Sequence, residues 1–158
     1  MSWGFLAWLL PILMGALLLS AGIQDVRSRE IANWKNAAIA LLAPLWWVAI
    51  GLDPWPGMAL QCGVALLVFA VFVGAFAIGQ MGGGDVKLIG ALSLWLAPLH
   101  LLDMLLVMSV IGGALTFAML VEHRVRRRMT AIEVPYGVAI AIAGLLALRE
   151  PLLNQFIQ

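Results

Sequence analysis

Charged residues make up only 11% of this 158-residue chain, whereas a soluble domain carries about 25%. With 64% hydrophobic residues and a mean hydropathy of +1.05, a water-facing surface is excluded and lipid is the expected solvent. There is one cysteine, Cys62, which rules out an intrachain disulfide and a cysteine-cluster zinc site. The two histidines, His100 and His123, fall on opposite faces of the expected topology with no ligand at metal spacing. Both are read as structural, and neither a metal nor a cofactor is expected. No basic residue precedes Arg27, so residues 1–22 lack the positive start of a cleaved signal and are expected to be a retained membrane helix. No internal repeat or low-complexity linker interrupts the chain, which reads as a single domain over 1–158.

What is present is a series of long apolar runs. A spanning helix needs about 20 apolar residues. Runs over Trp3–Ile23, Asn36–Leu52, Gly57–Gly79, Val86–Pro98, Leu101–Val121 and Val134–Leu148 predict an all-α, polytopic protein of six helices. The fourth and sixth are short. With the N-terminus outside, eight of the nine Lys and Arg residues fall in inside loops (24–35, 80–87 and 122–133) and one, Arg149, falls outside. That is the positive-inside asymmetry, and it places both termini outside. Trp3, Trp34, Trp46, Trp47 and Trp55 are expected in an interfacial aromatic belt. The small residues of 74–79 and 112–114 suit close helix packing.

Carboxylates near a bilayer are costly and point to function. The inside face holds Asp25, Glu30, Asp85, Glu122 and Glu133. Three of these lie in polar stretches that solvate them. Asp25 follows directly on the first helix, and Asp85 opens the fourth behind Gly82, Gly83 and Gly84. If those helices are neighbours, the two carboxylates meet. Close like charges share one proton, so such a pair can hydrolyse a peptide bond with neither metal nor nucleophilic side chain. The ionised member activates water and the protonated member polarises the carbonyl. Helix dipoles favour Asp85, at a helix start, as the base, and Asp25, near a helix end, as the acid. The glycines allow close backbone approach and positive φ. A fourth helix of about 20 Å, at 1.5 Å per residue, is shorter than the roughly 30 Å hydrocarbon core. A recessed start would set Asp85 in a wet pocket. The plainer accounts are an N-cap for Asp85 and a loop ion pair with Arg27 or Arg29 for Asp25.

The stretch "GGGDVKL" resembles the GxGD motif of membrane aspartyl proteases in the form used by type IV prepilin peptidases. "DVRSREIAN" resembles that family's D-x-R-x-x-x-I-P-N segment, and "VPYGVAIAIAG" its P-Y-G-x-A-I-A closing segment. The three stand in the family's order and cover nearly the whole chain. The resemblance implies that Asp25 and Asp85 are the catalytic pair, supported by Gly82, Gly83, Gly84, Lys87, Arg27 and Asn33, with Pro135, Tyr136 and Gly137 lining the cleft. It implies removal of a short basic leader from prepilins at the cytoplasmic face of the bacterial inner membrane. Two positions depart from the pattern: Ala32 stands where Pro is usual, and Ser93 where Gly is common. Larger members carry an N-terminal cysteine-zinc domain linked to N-methylation. This chain resembles the minimal branch associated with Flp/Tad-type pili, and it shows no site for S-adenosylmethionine.

The arginines of 124–128 are read as topology determinants rather than a nucleic-acid site. Glu30, Glu122 and Glu133 can meet a basic leader or be plain solvated charges. Lys87 can act on Asp85, touch substrate or snorkel to headgroups. Rival functions are a proton-coupled transporter, which requires acids across the bilayer, a non-catalytic pilus-assembly scaffold, and a presenilin-like protease, which normally has more helices and a Y-D motif where this chain has Gln24-Asp25.

Overall fold

The structure, a computed structural model, describes residues 3–126 and 136–149. They form six α-helices: α1 Trp3–Ser28, α2 Asn33–Ala49, α3 Ala59–Ala77, α4 Gly83–Ser93, α5 Pro98–Arg126 and α6 Tyr136–Ala147. A kinked turn over Pro54–Met58, in which Trp55 is extended at φ −136° and ψ 127°, leads into α3. Three spans, Gly4–Ser28, Pro54–Ala77 and Pro98–Val125, are long and apolar enough to cross a membrane. The six-helix, all-α architecture is the expected one.

The helix ends differ from the sequence expectation. α1 continues through the polar stretch after Ile23, so Asp25 lies in its last turn rather than after it. α2 begins at Asn33, leaving a link of four residues. α5 runs to Arg126, so Glu122, His123 and Arg124 are helical rather than in a loop. Helix hydrogen bonding carries α1 and α5 past the last apolar residue, because polar side chains at a membrane edge face water without breaking the backbone ladder. Arg127, Arg128, Glu133 and Pro135 lie outside the described residues.

α4 is the centre of the bundle. It packs against α2, α3 and α6, while α1 packs along α2 and α6, and α5 along α6. α1 and α4 make little direct contact; they converge where α6 lies across both. There Gly144 leaves room for Leu18 of α1 and Leu92 of α4, whose side-chain atoms would stand 2.7 and 3.2 Å from an added Cβ. At eleven residues, α4 is about 16 Å long, and seven of them are buried. A helix that stops within the bundle leaves carbonyls without partners, which is tolerated at membrane depth only where protein covers them. Side chains meet these. The Gln61 amide donates to the Ser93 carbonyl at 2.9 Å and also to that of Leu96. The Trp47 indole donates to Leu94 O at 2.9 Å.

This overturns the aromatic-belt expectation for two tryptophans. Trp46 and Trp47 are buried. Trp46 stacks on Trp95, with centroids 5.4 Å apart, and the Trp95 indole donates to Ile39 O at 2.8 Å. Capping α4 claims Trp47 ahead of the interface, and stacking on Trp95 claims Trp46. Trp34 and Trp55 remain exposed; the side chain of Trp3 is outside the described set. The glycine expectation is also only half met. Gly112 packs on the Tyr136 ring, but Gly74, Gly79 and Gly113 face open space. α3 turns most of its surface to lipid, with only 11% of its best window buried, so it has no close neighbour on that side.

Candidate active site

Asp25, Lys35 and Asp85 are the buried charged residues among those described, and all three lie at one end of the bundle. Asp25 reaches its place because α1 ends abruptly. Arg29 adopts φ 57°, a left-handed helix stop that costs a non-glycine residue roughly 1–2 kcal/mol. Its N–H closes on Asp25 O at 2.9 Å. Ile31 is then buried and Ala32 turns the chain into α2 with φ −60° and ψ 128°. That φ is the one proline would impose, so the backbone keeps the family's turn without its proline.

The Asp25 carboxylate lies on the start of α6. Its Oδ2 accepts the Val138 N–H at 3.2 Å, and the Gly137 N–H also points to it. Gly137 is required sterically: an added Cβ would stand 2.8 Å from Asp25 Cγ and Oδ2. The positive charge of Arg29 acts on Asp25 as well. Helix position disfavours negative charge at Asp25, but these groups act in the other direction. Its carboxylate sits at the positive end of α6, 113 residues away in sequence.

Asp85 is the third residue of α4. The Gly82 N–H faces its carboxylate, and the two aspartates are close enough for the charge of one to act on the other. Gly82 is extended, at φ −71° and ψ 145°, and positive φ occurs instead at Gly79, φ 74°. The Gly82–Gly84 run thus serves close approach rather than left-handed backbone. Gly83 meets the Phe76 ring at 3.4 Å, and Gly84 meets Ile31 at 3.3 Å, both measured from an added Cβ.

Other expected residues divide. Lys87 donates to Asn33 Oδ1 at 2.8 Å, joining the two aspartate segments and leaving Asp85 to other neighbours. Arg27 is exposed on the last turn of α1; Arg29 is the arginine that acts on Asp25. Tyr136 and Gly137 open α6 beside the pair, and Pro135 falls outside the described residues. Sequence reasoning missed Asn36, whose amide donates to Gly84 O at 3.2 Å. It also missed the inward turn of Lys35, whose ammonium donates to Ser20 O and Oγ at 3.0 and 2.7 Å. Both looked like polar residues at a helix edge, and nothing in the local pattern tells an inward from an outward turn there.

A family model described as the type IV leader peptidase family matches residues 12–117, a stretch containing both aspartates. A curated relative from Legionella pneumophila, a prepilin leader peptidase/N-methyltransferase, is 31% identical over 125 residues. The aligned region is 75% of this chain and 42% of the relative, so the chain spans well under half of that protein. No solved structure is significantly similar. The family match, over a stretch that holds both buried aspartates, leads to one conclusion: the chain belongs to the type IV leader peptidase family.

Proposed function

We propose that this protein is a prepilin leader peptidase that works through an Asp25–Asp85 dyad. Its substrates are Flp-like prepilins, cut between a short basic leader and the hydrophobic helix at the cytoplasmic face of the bacterial inner membrane. The observation that carries the reading is the burial of two mutually repelling carboxylates at one end of an otherwise apolar bundle. A pair of this kind holds one proton between its members. The positive-inside pattern supports the cytoplasmic face.

The surroundings favour Asp25 as the ionised member. Two backbone N–H groups of α6 and the Arg29 charge stabilise negative charge there, against the single Gly82 N–H at Asp85. Asp25 takes a proton from water, and the resulting hydroxide equivalent attacks the scissile carbonyl carbon. Asp85 gives its proton to the carbonyl oxygen. Collapse of the gem-diol breaks the C–N bond as Asp25 returns its proton to the leaving amine and Asp85 takes one back from a gem-diol hydroxyl, which restores the pair. This reverses the roles that helix position alone suggests. Proton relay across the bilayer, by contrast, needs acids along its depth, and the buried charges described here gather at one end.

The test is co-expression with an Flp-type prepilin in bacterial membranes, with Asp25→Asn and Asp85→Asn at matched levels. Asn keeps the shape and removes the titrating group. Leader loss by wild type alone is the expected result. Leader loss with either variant at the wild-type rate assigns that aspartate a structural role and ends the dyad reading.

A further inference from the structure

Asn36 carries an unresolved cost. It is 4% exposed, and its Oδ1 is buried with no hydrogen-bond partner. An orphaned buried acceptor gives up its bonds to water and gains nothing in return. As a filler between helices, an apolar side chain of the same size would do better. The amide orientation is nevertheless forced. Its other end meets the carbonyl of Gly84 at 3.2 Å, which only the N–H₂ end can satisfy. So the side chain keeps its donor in place and leaves its acceptor without a partner.

The location of that donor is informative. Gly84 immediately precedes Asp85, in the first turn of α4. Asn36 stands in the first turn of α2, beyond the link that leaves Asp25. Two further contacts tie the same segments: Lys87 donates to Asn33, and Gly84 packs on Ile31. The Lys87–Asn33 bond is solvent-exposed, where such pairs contribute little. The Asn36 bond is partly buried and comes from a buried side chain, so it is the better placed of the two to fix the angle at which Asp85 meets Asp25. α1 and α4 make little direct contact, and the relative position of the two aspartates depends on α2 and α6.

We propose that Asn36 is a positioning residue for the dyad: its amide donor holds the Asp85 turn in register with Asp25. The inference rests on the dyad reading above. Catalysis depends on sub-ångström placement, and a shift of about 1 Å can cost on the order of 10²-fold in rate.

The experiment uses the full chain in proteoliposomes with an Flp-type prepilin, comparing wild type, Asn36→Leu, Asn36→Asp and the two Asp→Asn controls. Asn36→Leu removes the orphan acceptor and the donor together, so its thermal unfolding in detergent should match or exceed wild type. Its kcat should nevertheless fall at least about tenfold, with KM within about twofold. Asn36→Asp keeps the shape but loses the donor when ionised, and should fall likewise at neutral pH. A wild-type kcat in Asn36→Leu overturns the proposal. So does a loss of activity that merely follows a loss of folded protein, since that marks a packing role. If the Asp→Asn controls themselves cleave, the dyad fails and takes this inference with it; if they are dead while Asn36→Leu is fully active, only this inference falls.

Discussion

At the scale of single residues, the site depends on what is missing from side chains as much as on what they carry. Gly137 has no Cβ, and the Asp25 carboxylate occupies the space one would fill. Gly137→Ala is therefore expected to push Asp25 off α6 and lower the rate of leader removal on the order of 10²-fold. Melting of the purified variant checks that the fold survives. Ala32 behaves oppositely. Its φ of −60° already suits proline, and its N–H makes only a long 3.5 Å contact with Gln24 Oε1. Ala32→Pro should stay active and gain roughly 0.4–1 kcal/mol of stability through a less flexible unfolded chain, read as a higher melting temperature. Asp25 and Asp85 were legible in the sequence because charge is rare there and each sits beside a motif. The hold of α6 on Asp25 was not, because backbone N–H groups 113 residues away leave no local pattern. Asn36 was hidden for a similar reason: one polar residue at a helix start reads equally well as solvated.

At the scale of elements, α4 explains several features that local reading could not rank. Its short length was visible, but the manner of its ending was not. Gln61 looks like a stray polar residue in an apolar run, and Trp47 like an interfacial ring. Both are donors to carbonyls at the end of α4. Gln61→Leu should leave the Ser93 and Leu96 carbonyls without this donor and destabilise the fold by roughly 1–3 kcal/mol. Activity per folded molecule should be retained, because this end lies away from the aspartates. Denaturation in detergent beside a specific-activity assay separates the two. Helix existence was readable from hydropathy, since lipid demands it. Helix ends were not, since the backbone ladder runs on through polar residues at the water boundary.

At the scale of the whole molecule, the bundle has a dense side and an open one. α4 is enclosed by α2, α3 and α6, whereas α3 presents most of its length to lipid. The lone cysteine, Cys62, is exposed on α3, eight residues beyond the start of the Pro54–Ala77 span. It should react in intact membranes with a lipid-soluble maleimide and resist a charged, membrane-impermeant one. Equal labelling by both would place this part of α3 in water and redraw the span. The all-helical plan follows directly from composition, because a chain this apolar has few other ways to satisfy its backbone.

The four residues between α1 and α2 carry a consequence for how such a protein can change over time. From the left-handed stop at Arg29 to the turn at Ala32, this strap works as a gauge block between the Asp25 and Asp85 segments. One added residue lengthens it by up to about 3.3–3.6 Å, more than the Asn33–Lys87 and Asn36–Gly84 bonds can absorb. Between α2 and α3, at the opposite end, a change of length alters no comparable spacing. Drift in loop length is thus free at one pole of the molecule and forbidden at the other.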